Sequence, residues 1–156
     1  MAASSSIRLV IFTIDGQRYG LHVQVVSHVF QAVEITPLPR GPDIVSGLIN
    51  VRGQILPLLD VRRRLGLPPR RLELSDLYIV AQTGQRTVAL HVEGINGVIE
   101  CPVENEVEAG EIAPGLSQIE GVVKLEDGLI FIYDLARFLS LEEEAMLDVA
   151  LESEVE

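Results

Sequence analysis

Apolar and polar residues along this chain form short runs separated by turns, a pattern that predicts β-strands. Residues 8–14 are apolar and rich in β-branched side chains, and residues 18–23 form a second such run after Asp15-Gly16. Two runs divided by a two-residue turn that contains Gly are typical of a β-hairpin. The pattern recurs in residues 77–92, and each predicted hairpin leads into a third apolar run.

Shared tripeptides indicate that the two hairpins are copies of one unit. Gly-Gln-Arg occurs at residues 16–18 and again at 84–86, and Leu-His-Val occurs at 21–23 and again at 90–92. Their common order and near-constant offset predict an internal duplication.

Each copy also predicts a second hairpin, marked by a Gly and an Asp at the same separation. Gly47 and Asp60 enclose two apolar runs, as do Gly121 and Asp134. Each Asp lies where a strand gives way to a short helical segment, so we expect both to cap helix N-termini. In the first copy the hairpin turn is predicted at Arg52-Gly53, because Gly tolerates a positive φ.

The predicted fold is mainly β, with two small five-stranded barrels that pack together, short helices and a C-terminal helix. Residues 7–151 are expected to form one domain. Residues 20–80 would mainly form the first lobe, and residues 81–139, with the N-terminal strands, the second. Residues 1–6 and 152–156 are expected to be flexible tails.

The segments between strands carry their own predictions. Three prolines in residues 36–42 predict a stiff connector, and Asp43 is expected to cap a short helix that reaches Ser46. Residues 102–115 are acidic and contain prolines, so a loop is expected. Residues 141–151 predict an amphipathic helix, whose apolar positions are Leu141, Ala145, Leu147 and Leu151.

Composition and charge exclude several classes of protein. Apolar residues make up 47% of the chain, so it is not a disordered sequence, and the single cysteine excludes an internal disulfide. The net charge of −11 argues against a nucleic-acid partner. No apolar run reaches the roughly 20 residues of a membrane span, and residues 1–6 do not resemble a signal peptide. A cytoplasmic protein without direct membrane insertion is expected.

The chain offers no arrangement typical of an enzyme. His22, His28 and His91 are not at metal-ligand spacing, and no Gly-rich phosphate loop is present. We therefore expect no catalytic residues, no metal and no cofactor. A protein-binding function therefore remains. The hairpin around Arg52 is unusually apolar for an element that faces solvent. Its uncovered face would include some of Leu48, Val51, Ile55, Pro57 and Leu59.

Residues 47–62 closely resemble the signature of CheW-type chemotaxis coupling proteins. That family typically has Gly-Val-x-Asn-Leu-Arg-Gly, then an apolar pair around Pro, then Asp-Leu-Arg. The resemblance covers nearly all of residues 7–151, with further matching segments at 9–20, 35–39, 92–98 and 142–148.

The resemblance implies two intertwined SH3-like barrels and a non-enzymatic adaptor. Such adaptors join the cytoplasmic tips of methyl-accepting chemoreceptors to the regulatory domain of a CheA-type histidine kinase, and are recruited to membrane-associated receptor arrays. The free protein is expected to be monomeric. Arg52 and Asn50 fall on the family's core motif, with Arg52 expected near an inter-lobe groove that takes the receptor tip. The implied kinase-contact residues are Leu48, Val51, Ile55, Leu56 and Pro57.

One position departs from the family pattern. The family commonly has Glu where this chain has His28, and such a Glu could fix the guanidinium of Arg52. We therefore count His28 with Arg52 and Asn50 as receptor-binding residues, and we expect an altered receptor preference, as in a specialised chemosensory system. Two alternatives stay open at this stage. One is a detached regulatory domain of a CheA-like kinase, and the other is a small-ligand protein that uses the inter-lobe groove.

Overall fold

The computed structural model describes residues 6–108 and 119–155. These residues form eleven β-strands, two α-helices and three 3₁₀ turns. The strands are β1 (Ser6–Ile14), β2 (Gln17–His22), β3 (Val26–Gln31), β4 (Val45–Val51), β5 (Gln54–Leu59), β6 (Leu77–Gln82), β7 (Thr87–Val92), β8 (Gly94–Pro102), β9 (Glu106–Glu108), β10 (Ile119–Leu125) and β11 (Gly128–Tyr133). The helices are α1 (Val61–Arg64) and α2 (Leu141–Val155), and the 3₁₀ turns are Val23–Val25, Val103–Asn105 and Leu135–Arg137.

The strands form two sheets, one in each lobe, which confirms the mainly β prediction. The first lobe is the sheet with the order β3-β6-β7-β5-β4, and the second lobe is the sheet with the order β8-β1-β2-β11-β10-β9. The second sheet has six strands instead of the expected five, because β9 adds three residues to its edge along β10.

The internal duplication is visible in the strand order. The two strand orders correspond position by position. In the first sheet the order is β3, β6, β7, β5 and β4, and the equivalent strands of the second sheet are β8, β1, β2, β11 and β10. Each copy gives its first hairpin to the other lobe: β1 pairs with β8, and β6 pairs with β3. The two barrels are therefore intertwined.

The exchange of hairpins corrects the predicted boundary between the lobes. The expected division near residue 80 falls between β6 and β7, which pair from Leu77 with Val92 to Gln82 with Thr87. Strand β2, part of which was assigned to the first lobe, pairs with β1 and β11 in the second. The strands of the first lobe therefore span Val26 to Val92.

The largest hydrophobic cluster joins the two lobes. Side chains alternate along β1, so Leu9 and Ile11 fill the second barrel, whereas Phe12 and Ile14 face the shared cluster. Six fully or nearly buried side chains fill each barrel, and nineteen form the cluster between them. Neither barrel has a sufficient core alone, because small domains bury too little apolar surface.

Three local predictions are corrected by the structure. Residues 43 and 44 form a turn, not a capped helix, because Val45 already pairs with Leu59 in the sheet and Ser46 lies inside β4. The predicted loop 102–115 contains the 3₁₀ turn Val103–Asn105 and strand β9, and its residues 109–115 lie outside the described residues. At the C-terminus, α2 continues through Val155, where an irregular tail was predicted.

Helix α2 is present as predicted, and two of its four predicted apolar positions, Leu147 and Leu151, pack against the shared cluster. Leu147 and Ala150 are fully buried against the body, whereas Leu141 is 85% exposed and Ala145 is also exposed. The helix begins with a capping box: the backbone N–H of Glu143 donates to Ser140 Oγ, and the backbone N–H of Ser140 donates to Glu143 Oε1.

Two arginines of the first lobe fix the position of α2. Arg64 Nη2 donates to the carboxylate of Glu143 at 2.6 Å, and Arg86 binds Glu144 and Asp148. The helix is therefore held on the body by Glu143 and Glu144 as well as by its apolar side chains. Leu141 lies on the opposite face, which is exposed.

Candidate protein-binding surface

Arg52 lies at the tip of the β4–β5 hairpin in a backbone conformation that Gly or Asn usually adopts. Its φ is +53° and that of Gly53 is +86°, as in the tight turns that suit the twist of paired strands. Asn50 stabilises this turn, because its Oδ1 accepts a hydrogen bond of 2.9 Å from the backbone N–H of Gly53. Asn50, predicted as a receptor-binding residue, is thus also a structural residue of the turn.

The guanidinium of Arg52 lies over an aromatic ring of the neighbouring edge strand. Its Cζ is 5.4 Å from the ring centroid of Phe30 on β3, which is a cation–π contact. The ring centroid of His28 lies 5.6 Å from the ring centroid of Phe30. His28, Phe30 and Arg52 therefore form one row, which we call the Arg52 row.

The Arg52 row borders an open depression of about 420 Å³ where β3 and β4 face each other. Val29 and Val33 bring exposed apolar side chains to it, with 42% and 41% of their surfaces accessible. A depression with an apolar floor and one cation is suited to a protein partner that carries an acidic group.

No carboxylate pairs with Arg52 in residues 6–108 and 119–155; the contact recorded for its guanidinium is the ring of Phe30. His28 likewise contacts Phe30 rather than Arg52. The aromatic ring, which the sequence did not single out, takes the place that an acid was expected to fill.

The predicted position of Arg52 at an inter-lobe groove is corrected. The depression beside Arg52 is lined by first-lobe residues alone, from β3, β4 and the segments next to them. A separate pocket of about 260 Å³ lies between the lobes, and its lining includes His22, Thr83, Glu120, Tyr133, Asp134 and Ala136.

The implied kinase-contact residues differ in exposure. Ile55 is 55% exposed, Leu48 and Val51 are half-buried, and Leu56 and Pro57 are buried. The last two are corrected from contact residues to core residues, since β5 is covered on both faces. Pro57 also fits a central strand here, because its partner Leu48 directs its own backbone hydrogen bonds to Thr36.

The two lobes expose apolar residues at equivalent positions. Val29 and Val98 are equivalent, because Val29 pairs with Ile79 in the first lobe as Val98 pairs with Val10 in the second. Ile55 and Leu129 are also equivalent, because each is the second residue after its hairpin turn. Val98 is 53% exposed and Leu129 is 47% exposed. Each lobe therefore presents one apolar pair, and an alignment of the two copies in the sequence could have found it.

The residues predicted as turns and caps fall into two groups. Gly53 lies in a turn and Asp60 and Asp134 cap helical segments, whereas Gly47 and Gly121 lie inside strands β4 and β10. Asp60 Oδ1 accepts a hydrogen bond from the backbone N–H of Arg63, and Asp134 Oδ1 accepts one from that of Ala136. The backbone angles of the two aspartates agree within one degree, at φ −89° and ψ 94° or 95°. Gly47 and Gly121 each follow a β-bulge at which another segment approaches closely.

A charge network behind the hairpins joins the two lobes. Asp76 is fully buried and binds Arg70 at 2.7 Å and His91 at 2.7 Å. Glu93 accepts hydrogen bonds from the backbone N–H of Asp15 and from Arg62, and it also pairs with Arg70. The network explains His91, whose copy His22 makes the same kind of contact with Glu120 at 2.6 Å.

The network keeps its carboxylates ionised. Burial by itself raises the pKa of Asp76, but hydrogen bonds from the backbone N–H of Glu73 and from His91 and Arg70 bring this pKa below its ordinary value. The pKa of Glu93 is lowered in the same way, against the effect of burial, by the backbone N–H of Asp15 and by Arg62 and Arg70. Most arginines near the middle of the sequence thus serve internal pairs.

Neither described helix is long and apolar enough to cross a bilayer. Within residues 6–108 and 119–155, no three His, Cys, Asp or Glu residues come together as metal ligands.

Comparisons with known proteins agree on one family. The family model of the CheW-like domain matches residues 8–143. The chemotaxis protein CheW of Klebsiella aerogenes is 28% identical over 141 residues, which are 89% of this chain and 85% of that protein. The CheW of Rhizobium meliloti is 29% identical over 137 residues, 86% of this chain and 88% of that protein. The crystal structure of the scaffolding protein TtCheW from Thermoanaerobacter tengcongensis superposes with a TM-score of 0.81 at 25% identity, covering 89% of this chain and 96% of that one.

Proposed function

Because this chain belongs to the family of CheW-like domains, we propose that it is a chemotaxis adaptor that couples chemoreceptors to a CheA-type histidine kinase. The observation that carries this conclusion is the extent of the family match. It runs from β1 into α2 and so includes both intertwined lobes. The relatives are themselves named CheW, and this does not favour the alternative of a detached kinase domain.

The receptor tip binds at the Arg52 row. Three observations support this assignment: the guanidinium is exposed, it is held on Phe30, and it pairs with no carboxylate of the described chain. A carboxylate on the receptor would gain a charge-assisted hydrogen bond there, while Val29 and Val33 cover apolar residues beside it.

The regulatory domain of the kinase binds at the other strand of the same hairpin, around Ile55. This side chain lies opposite Asn50 in register and is more than half exposed, with Leu48 and Val51 half-buried on the same hairpin. The equivalent pair in the second lobe, Val98 and Leu129, offers a second apolar contact without a cation at its hairpin tip. The adaptor acts without catalysis, in the cytoplasm, as a scaffold that holds both partners.

The test is a ternary complex of purified proteins. The full chain is mixed with the cytoplasmic signalling fragment of a chemoreceptor and with the regulatory domain of a CheA-type kinase, and the complexes are resolved by sedimentation velocity. We expect one species that contains all three proteins. If the chain bound neither partner, the proposed function would be wrong, and if it bound them only in competition, the two-surface arrangement would be wrong.

A further inference from the structure

The outer face of α2 carries an exposed apolar stripe. Leu141, Ala145 and Val149 are four residues apart and so lie along one side of the helix. Leu141 is 85% exposed, Val149 is 60% exposed, and the adjacent Met146 is 47% exposed. The opposite side is buried through Leu147 and Ala150.

Carboxylates lie near both ends of this stripe. Glu142 and Glu152 are exposed, and neither pairs with a cation in the described part of the chain. From Leu141 to the last residue the sequence has seven acids and no Lys or Arg. An apolar stripe with acids at its ends is complementary to an amphipathic helix that carries basic residues beside its own apolar stripe.

The same charges disfavour two other occupants. If two copies packed these stripes antiparallel about Ala145, Glu142 of one copy would face Asp148 of the other, and like charges opposite each other are destabilising. An anionic lipid surface would be repelled by the acids, since amphipathic helices that lie on membranes carry Lys and Arg on their polar face.

We propose that the outer face of α2 is a docking surface for a basic amphipathic helix of another protein. The stripe runs from Leu141 to Val149, which is about 12 Å along the helix axis. It is independent of the Arg52 row, which lies on the first-lobe hairpin, and its test is independent of chemotaxis partners.

The probe is a fluorescent synthetic helix of Leu and Lys, about five turns long, titrated with the full chain and followed by anisotropy. We expect saturable binding that weakens as salt rises. The variant Leu141→Gln/Val149→Gln keeps the charge and the helix propensity and should bind the probe at least about tenfold more weakly. Both side chains are exposed, so the thermal unfolding midpoint should stay unchanged.

Matched controls decide whether the site is the one proposed. Leu74→Gln removes a fully exposed leucine elsewhere, and Ile55→Gln removes the apolar side chain of the first-lobe hairpin; both should leave probe binding unchanged. Glu142→Gln/Glu152→Gln should weaken binding and reduce its salt dependence. Unchanged affinity in Leu141→Gln/Val149→Gln would overturn the proposal, as would equal binding of a Leu and Glu peptide.

Two further outcomes would assign the surface to another occupant and thus also overturn the proposal. The first is a dimer of the full chain in sedimentation equilibrium that Leu141→Gln/Val149→Gln dissociates. The second is binding to phosphatidylserine vesicles that the same variant abolishes. We expect a monomer and no vesicle binding.

Discussion

Arg52 and Glu126 occupy the same position in the two copies of the repeat and carry opposite charges. Each is the first turn residue of its hairpin, after Val51 in one copy and after Leu125 in the other. The following residue differs as well: Gly53 in the first copy, and Asp127 in the second, where it pairs with Arg18. The shared Gly and Asp residues maintain the fold, and the unshared Arg52 gives the first lobe a cation at its hairpin tip where the second lobe has an acid.

The charge of Arg52 should decide receptor binding. We expect Arg52→Glu to weaken binding of the receptor fragment at least about tenfold, because a favourable ion pair becomes a repulsion. Both residues are long and exposed, so the fold should persist. Binding is measured by isothermal calorimetry, with Glu126→Arg as the matched control on the other hairpin. Equal losses in the two variants would show that Arg52 has no special role.

The kinase contact should depend on Ile55. Replacing this side chain with Gln removes an exposed apolar contact, so binding of the kinase regulatory domain should weaken several-fold while receptor binding stays constant. Surface plasmon resonance against both partners measures the two affinities on one preparation. Leu74→Gln is the control for loss of an exposed leucine, and a variant at Ile55 that bound the kinase domain normally would contradict the assignment.

Exchanging His28 for Glu should change the receptor preference. A carboxylate at this position, two residues from Phe30 on the same face of β3, would attract the guanidinium of Arg52 away from the ring and compete with an acidic receptor tip. His28→Gln, which adds no charge, should have little effect. The measurement is binding across a panel of receptor tips, and an unchanged profile for His28→Glu would refute the expected role.

Acid should destabilise the protein through the network of Asp76 and Glu93. Both pKa values are lowered in the folded state, so the stabilisation is complete above the ordinary carboxyl pKa of about 4 and is lost as the pH falls through the lower folded-state values. Urea unfolding over a pH series measures this loss. Asp76→Asn should cost about 1–3 kcal/mol at neutral pH, because Arg70 and His91 lose a buried carboxylate while Arg70 keeps Glu93, and it should reduce the acid dependence.

The control for this prediction is Asp43→Asn. Asp43 pairs with Arg63, but its side chain is 85% exposed, and exposed pairs contribute little. Its pH profile should match that of the unmodified chain. A profile of Asp76→Asn that kept the full acid dependence would place the sensitive groups elsewhere.

Gly47 and Gly121 should differ in their tolerance of a methyl group. A Cβ at Gly47 would lie 2.5 Å from the backbone oxygen of Thr36, and φ there is +155°. At Gly121 the nearest atom is the end of the flexible Glu106 side chain, also at 2.5 Å, and the backbone oxygen of Val107 is 3.0 Å away. We expect Gly47→Ala to lower the free energy of unfolding by about 1–3 kcal/mol and Gly121→Ala by less, measured by urea titration; the reverse order would contradict this account.

Local features of the sequence predicted much of this structure. The hairpin turns, the duplication and the capping roles of Asp60 and Asp134 follow from interactions between residues a few positions apart. The structure confirms them because turn and cap chemistry depends little on the rest of the chain. The resemblance around Arg52 pointed to the hairpin that lies beside the depression of the first lobe.

The sequence did not predict the contacts between residues that are far apart in the chain. The contact between Arg52 and Phe30 joins two edge strands, and no periodicity indicates which aromatic ring will meet a hairpin tip. Leu56 and Pro57 look available in the pattern of β5 alone, but Leu56 packs in the core of the first barrel and Pro57 is buried beside it in the strand. The outward position of Leu141 on α2 was not predicted either, because it depends on Arg64 and Arg86 binding acids of the same helix.

The exchange of first hairpins between the copies has a consequence for how the chain is made. Strand β1 pairs with β8, so Ser6 meets Pro102, and β2 gains its second neighbour at Phe131. During synthesis, more than a hundred further residues must therefore be made after the N-terminal hairpin before its sheet can close. Pairings so distant in sequence slow folding and expose strand edges meanwhile. Completion of β11, rather than of either repeat, is thus the event that allows the nascent chain to become a cooperative body.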